Sequence, residues 1–349
     1  MSAAAIVINA RSAAARLTGV QRYIHEILDR DGGTIARIGP ARALHGTQGH
    51  LWEQTVLPLL VKQRLLWSPA NLGPLAVRRQ VVTVHDIAPI DHPEWFTPRF
   101  RAWYQWLLPA LVRRVTGIIT VSQYSKDRLV ERLGADPDRV AVIPNGVSDR
   151  FTAMSSASIQ HMRARLDLGT GPYMLAVGSI EPRKNLRRLL EAWAKVQDRL
   201  PKNLELFIAG GVGVARIFGS SATLTALPER VRILGHVPDE LLPALYSGAL
   251  FFAYLSEYEG FGLPLVEAMA CGVPTLTSRV TAMPEVAGDA AILVDPTSVD
   301  EIAVGIETLA MDDALRRDLA LKALRRGKSY SWQATATATI DCLARFAER

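Results

Sequence analysis

Short β-rich runs alternate with helix-like segments along almost the whole chain, and this alternation constrains the fold more than any other feature. A strand, a helix and a further strand in series build a parallel sheet with covering helices. In the first half, Ala5 to Asn9, Val81 to His85, Gly117 to Val121 and Val140 to Ile143 read as buried strands. In the second half the candidates are Met174 to Val177, Leu204 to Ala209, Val231 to Leu234, Ala249 to Tyr254, Thr275 to Thr277 and Ala291 to Val294. A chain of 349 residues exceeds one comfortable core. The expectation is an α/β protein of two Rossmann-like, doubly wound domains. Pro144-Asn145-Gly146 punctuates the chain, and Phe151 to Gln160 is Ser/Ala-rich without pattern. A new helix is expected over His161 to Leu166, so the domains are placed at 1–158 and 159–331.

An apolar fraction of 49% fits a packed α/β enzyme. No apolar run approaches the roughly 18 residues of a membrane span. The opening M-S-A-A-A-I-V-I-N-A reads as a lead into the first strand, not a signal peptide. Cys271 and Cys342, far apart, give no disulfide framework and suggest the cytoplasm. Residues 1–150 hold 19 Lys+Arg against 12 Asp+Glu, a balance of +7, and the remainder holds 21 against 22. A basic half implies an anionic partner. No helix-turn-helix, zinc or RNA-binding signature is present, so nucleic acid is not expected. An anionic membrane surface or a lipid diphosphate acceptor fits better. Trp103 and Trp106 stand among Arg99, Arg101, Arg113 and Arg114. That pattern suits an interfacial helix or a core helix with basic ends.

Glu259 and Glu267 bracket E-G-F-G-L-P-L-V-E. Gly260 and Gly262 let the backbone approach a ligand closely. Pro264 suits the first turn of a helix beginning at Leu263. The end of such a helix is a ready phosphate site, and Glu267, one turn inside, can grip a ribose diol. Arg183 and Lys184 follow the strand Met174 to Val177 and the turn Gly178-Ser179. They stand at the carboxyl end of a parallel strand, where open α/β sheets bind ligands. Preplaced cations there stabilise the charge that grows on a departing diphosphate. The alternative for this pair is a solvated basic helix start, since Arg187 and Arg188 follow. His85-Asp86 ends another strand, where His85 can orient sugar hydroxyls and Asp86 can bond a hydroxyl or hold His85. Among the seven histidines, His25, His45, His50, His92 and His161 have no comparable placement.

The glutamate pair, with A-M-A-C-G-V-P at 268–274, M-P-E-V at 283–286 and V-D-P at 294–296, resembles the E-x7-E region of retaining GT-B glycosyltransferases of family 4. G-S-I-E-P-R-K-N at 178–185 resembles the family's basic phosphate loop, and His85-Asp86 and I-P-N-G-V at 143–147 match weaker signatures. The resemblance implies two Rossmann-like domains facing an interdomain cleft, an acceptor-side first domain and a nucleotide-sugar-binding second one. It also implies that the C-terminal helix 332–349 packs back on the first domain. It casts His85, Asp86, Arg183, Lys184 and Glu259 in catalysis. It casts Gly19, Ser179, Arg183, Lys184, His236, Val237, Glu259, Gly260, Phe261, Gly262, Leu263 and Glu267 in donor binding, the 235–238 turn through its backbone. The chain keeps one loop glycine, Gly19 after Thr18, where the family has two; Arg11 and Arg16 share that loop. No cofactor or metal is implied, the helix end and the Arg/Lys pair replacing a divalent cation. T-G-V-Q-R-Y and H-D-I-A-P-I-D-H-P-E-W-F bring the resemblance nearest to bacterial mannosyltransferases of surface-polysaccharide assembly. GDP-mannose is then the first donor expected, a saccharide or lipid-linked saccharide the acceptor, and the inner face of the cytoplasmic membrane the place.

Three rival classes remain. A nicotinamide-dependent oxidoreductase needs G-x-G-x-x-G/A after a strand; the best candidate, Gly211 to Arg216, ends on arginine. A sugar-nucleotide epimerase of the same fold also binds a nucleoside diphosphate, yet leaves E-P-R-K-N together with the E-x7-E region unexplained. A non-catalytic binding module requires loss of charged site residues that are all present.

Overall fold

A computed structural model describes residues 5–14, 18–44, 46–211 and 227–348. Its contacts divide the chain into two compact units. Unit 1 comprises Met1–Pro93, Pro98–Gly146 and Ser331–Arg349, and unit 2 comprises Glu94–Thr97 and Val147–Tyr330. The main division follows Gly146, at the Pro144-Asn145-Gly146 punctuation and ahead of position 158. The helix Ser156–Arg165 starts ahead of the expected His161. Ser155 caps it by accepting from Ser158 N at 3.2 Å. Only Met162 of this helix is buried, so the run carries no apolar period to reveal it.

Unit 1 holds six parallel strands, β1 (Ile6–Asn9), β2 (Ile35–Ile38), β3 (Leu65–Ser68), β4 (Gln80–Val84), β5 (Gly117–Thr120) and β6 (Val140–Val142). Their order is β2-β1-β3-β4-β5-β6, with β2 and β3 additional to the expected four. Every residue of β1, β3, β4 and β5 is buried, the burial pattern of a sheet covered on both faces. The helix Gln123–Leu133 shows how local chemistry sets an element's length. Ser122 accepts from Ser125 N at 3.1 Å at its start, and Gly134, with φ 65°, ends it in the left-handed region.

The helix Trp332–Ala347 lies in unit 1 and buries Trp332, Thr335, Ala336, Thr339, Cys342, Leu343 and Phe346. A Cβ on Gly117 would sit 2.3 Å from Phe346 Cζ, and one on Gly146 would sit 2.1 Å from Trp332 N. Both positions therefore exclude a side chain. Thr335 Oγ1 donates to the Pro144 carbonyl at 2.8 Å.

The helix Pro98–Val112 packs Tyr104, Leu107, Leu108, Leu111 and Val112 into the core while Trp106 stays 58% exposed. Phe100 and Trp103 pack partly buried against the same core, so Trp106 is the exposed aromatic of the helix.

Unit 2 holds β7 (Tyr173–Val177), β8 (Glu205–Ala209), β9 (Val231–Gly235), β10 (Phe251–Tyr254), β11 (Thr275–Ser278) and β12 (Ala291–Val294), all parallel. Their order is β12-β11-β10-β7-β8-β9. Trp193, Leu190 and Val196 from the helix Leu186–Val196 pack with Ile302 and Ile306 from the helix Val299–Met311 over this sheet. The strand order reverses between β10 and β7, and a ligand crevice is expected beyond the carboxyl ends at such a point.

Candidate functional site

The carboxyl ends of β7, β8 and β9 carry glycines because the backbone segments nearly touch. Gly210 N donates to the Gly235 carbonyl at 2.7 Å, and Gly178 N to the Ala209 carbonyl at 3.0 Å. A Cβ on Gly210, whose φ is 143°, would stand 1.9 Å from the Gly178 oxygen. Beside this lattice a short 3-10 turn, Pro182–Lys184, ends at Asn185 in the left-handed region with φ 58°. Asn185 Nδ2 ties the turn down by donating to the Pro296 carbonyl at 2.6 Å.

That turn aims two cations at Glu259. Arg183 Nη1 lies 2.9 Å from Glu259 Oε2, and Lys184 Nζ lies 2.5 Å from Oε1. Lys184 Nζ also donates to Tyr254 Oη at 2.8 Å, and Tyr254 donates to Glu259 Oε1 at 2.8 Å. Arg183 Nε holds Glu181 at 2.8 Å, and Ser179 Oγ donates to the other oxygen of Glu181. Glu259 is 7% exposed and Glu181 8%. Two cations and two carboxylates thus stand interlocked and nearly dry. Burial pushes the Glu259 carboxyl up, but Arg183 and Lys184 outweigh it and bring it down to about 2. Burial and Arg183 pull Lys184 down, against the pull of Glu259.

This geometry carries a pH signature. A carboxyl lowered from near 4.5 to about 2 stabilises the fold fully above 4.5 and loses that contribution as pH falls toward 2. The shift corresponds to about 3 kcal/mol. Acid unfolding of Glu259→Gln is therefore expected to be shallower than wild type between these pH values. Chemical denaturation midpoints across that range measure it, and parallel curves for the two proteins would refute it.

The second glutamate stands apart from this knot. Gly262, with φ 89°, precedes the helix Leu263–Ala270, and no side chain caps that helix end. A Cβ on Gly262 would stand 2.7 Å from Met283 Cε. Glu267 is 5% exposed and accepts from Tyr246 Oη at 3.1 Å. Burial, then the charge of Glu267, raise the Tyr246 hydroxyl well above its ordinary value, so it stays a donor.

Among the other expected donor contacts, Phe261 is buried edge-on against Tyr330 at 5.4 Å, so its ring is core. Val237 is likewise buried, whereas His236 is exposed just beyond β9. Gly260 and Leu263 flank Phe261 and Gly262 in the turn and first helical position.

In unit 1, His85 follows β4 and donates through Nε2 to the Pro69 carbonyl at 2.8 Å. Its backbone N–H is held by Asn71 Oδ1 at 2.7 Å. Burial lowers the ring below its ordinary value, partly offset by the Pro69 bond and Asp86, so it is neutral with Nδ1 as an acceptor. Asp86 Oδ1 accepts from Ala88 N at 3.0 Å and shapes the turn after His85. Gly19 opens the helix Gly19–Leu28, with Thr18 as an N-cap that makes no side-chain cap bond. Arg16 and most of the 211–216 run lie outside the described residues.

The expected list lacked Tyr254, Glu181, Tyr246 and Asn71. Glu181 sits inside the recognised loop, and Tyr254 closes a strand directly upstream of the glutamate pair. The tyrosine at 246 and the asparagine at 71 carry no local signal.

Two family models match the chain: glycosyl transferases group 1 over residues 158–326, and glycosyltransferase family 4 over 63–151. The O-antigen chain mannosyltransferase B of Escherichia coli is 35% identical over 80% of this chain and 74% of its own. The serotype-specific mannosyltransferase WbdA of Escherichia coli is 31% identical over 76% of this chain, which spans only 33% of that protein. Among solved structures, HepE of Anabaena in complex with UDP and glucose superposes with a TM-score of 0.76, at 18% identity, over 98% of this chain and 100% of that one. With two parallel six-stranded sheets of GT-B type and a relative of this closeness, the chain belongs to the group 1, family 4 glycosyltransferases.

Proposed function

We propose that the chain is a retaining hexosyltransferase that moves mannose from GDP-mannose to a hydroxyl of a saccharide or lipid-linked saccharide in bacterial polysaccharide synthesis. The observation that carries the reading is the cation pair Arg183 and Lys184, fixed at the carboxyl end of β7 against the first glutamate of the E-x7-E segment. The donor diphosphate binds beside the uncapped end of the helix Leu263–Ala270, where Arg183 and Lys184 supply further positive charge. Glu267, held by Tyr246, takes the ribose. As the sugar bond breaks, charge grows on the departing phosphate, and Arg183 and Lys184 stabilise it. The acceptor hydroxyl attacks from the same face and gives its proton to that phosphate. Neutral His85 offers Nδ1 to a hydroxyl of the transferred sugar, and Asp86 holds the turn that carries it. The mannosyltransferase names of the relatives support mannose. A panel of sugar nucleotides screened for a rise in melting temperature, followed by transfer assays on oligosaccharides, tests the donor. A rise with UDP-sugars alone would replace GDP-mannose. Epimerisation without acceptor, or stabilisation by NAD alone, would overturn the class.

We also propose that the reaction needs no divalent cation, because the arginine, the lysine and the helix end supply the positive charge. Activity should survive EDTA; loss restored by Mg²⁺ or Mn²⁺ would refute this.

No described helix is long and apolar enough to cross a membrane. A peripheral seat on an anionic bilayer is supported by the +7 balance of residues 1–150 and by exposed Leu51, Leu59 and Trp106. Surface attraction is worth about 1 kcal/mol per basic residue and fades beyond roughly 8–10 Å at working salt. Co-sedimentation with anionic vesicles should rise with anionic lipid, fall with salt, and drop about thirtyfold in Arg113→Ser/Arg114→Ser. Indifference to such vesicles at low salt would leave a soluble acceptor as the reading.

A further inference from the structure

A group of polar side chains beyond the carboxyl end of β1 has no role in the chemistry above. Glu53, on the helix Gly46–Thr55, is 1% exposed. Its Oε2 accepts from Arg11 Nε at 2.7 Å and from Asn9 Nδ2 at 3.1 Å. Its Oε1 is shielded and has no hydrogen-bond partner. Two further shielded atoms without partners belong to its neighbours: Nδ1 of His50 and Nε1 of Trp103. The rings of His50 and Trp103 stand 5.3 Å apart, and burial, with Arg11, lowers His50 while Glu53 raises it. A Cβ on Gly49 would lie 2.9 Å from Arg11 Nη1, so this helix runs hard against the guanidinium. Trp106 lies outside, 5.5 Å from Trp103 and 58% exposed.

Buried donors and acceptors are nearly always paired, and leaving three unpaired in one place opposes folding. The three are complementary to a particular kind of ligand. The indole N–H only donates, the carboxylate oxygen only accepts, and the imidazole nitrogen does either. A vicinal pair of hydroxyls satisfies such a set, one donating to Glu53 Oε1 while its neighbour accepts from Trp103 Nε1. The charge of Glu53 is already balanced by Arg11, so the set favours a neutral ligand over a cation or a phosphate. Indole faces also suit the apolar face of a sugar ring. We propose that Glu53, His50 and Trp103 form a pocket for a neutral pyranose, with Trp106 as its outer stacking face. Trp103, partly buried and packed against the core of unit 1, is the inner wall of the pocket. The pocket holds a unit of the saccharide acceptor, a step that rests on the transferase reading given above.

The test uses the full chain and an α-linked mannotriose, with maltotriose alongside, in the absence of any nucleotide. Saturation-transfer NMR and tryptophan fluorescence should report binding of one of the two. Trp103→Phe keeps an aromatic ring, though a smaller one, and removes the N–H, and Trp106→Ala changes an exposed position, so both are expected to fold. Each should weaken binding about fivefold to tenfold, the loss of one hydrogen bond or one stacking face. The acceptor KM should rise in step while the donor KM stays at the wild-type value. Binding that is equal in wild type and both variants would overturn the assignment, as would no binding of either sugar. Nucleotide stabilisation is read separately, so failure of the donor panel sinks the transferase reading without deciding the pocket.

Discussion

Replacing Arg183 or Lys184 by alanine is expected to lower kcat about a hundred- to a thousandfold, the usual cost of removing one preplaced charge from a developing anion. The donor KM should move much less, because the charge they serve grows as the bond breaks and is small in the bound donor. The structure adds a refinement. Lys184 reaches both Glu259 and Tyr254, whereas Arg183 reaches Glu259 and Glu181. Removing either cation leaves a carboxylate 7–8% exposed with one partner fewer, which destabilises the site as well as the reaction. Arg183→Lys and Lys184→Arg keep the charge and separate the two effects. They should restore stability and leave kcat impaired, since a fork and a point charge do not occupy the same positions. Steady-state kinetics with a melting curve on each variant decides the matter. A change confined to donor KM would mean uniform binding and no catalytic part for the pair.

Glu267→Ala should raise the donor KM at least tenfold, because a charge-assisted hydrogen bond is worth about 1.5–3 kcal/mol. The same change strands the buried Tyr246 hydroxyl, which donates to Glu267 at 3.1 Å, and should lower stability by about 1–3 kcal/mol. Glu267→Gln keeps an acceptor for Tyr246 and should recover most of the stability but less of the affinity. Tyr246→Phe removes only the brace, so kcat should hold while the donor KM rises modestly. Kinetics on the three variants, each checked for its melting temperature, measures the contribution. An unchanged donor KM in folded Glu267→Ala would remove Glu267 from the ribose.

Much of this arrangement was legible before any coordinates. All six strands of unit 2 could be read because each is a short run of apolar and β-branched residues, most of them closed by glycine, proline or a charge. In unit 1, β2 escaped notice because Ile-Ala-Arg-Ile lies at the sheet edge and only Ile35 is buried. Strand β3, Leu65–Ser68, is a run of only four residues separated from the apolar helix Leu57–Val61 by Lys62-Gln63-Arg64. The charged centres Arg183, Lys184, Glu259 and Glu267 announce themselves by spacing. Their braces do not. Lys184 meets Tyr254 across seventy positions and Tyr246 meets Glu267 across twenty-one. Such pairings arise from strand order and helix packing, which no local pattern encodes. The same holds for His50, which had no distinguishing neighbour in sequence and acquires Trp103 only through helix packing.

The return of the last helix to unit 1 sets an order on biosynthesis. Gly117 has no side chain because Phe346 fills its place, and Arg79 donates to the Ala347 carbonyl. Translation at about 5–20 residues per second needs on the order of 10–40 s to pass from Gly146 to that helix. Throughout that interval the emerging sheet of unit 1 lacks one of its covers, and the seat for Trp332, Leu343 and Phe346 is open to water. Every residue of unit 2 leaves the ribosome before the closing segment of unit 1 does. The unit that begins second is therefore able to finish first, and the exposed apolar seat on the nascent chain is a surface for a chaperone to hold.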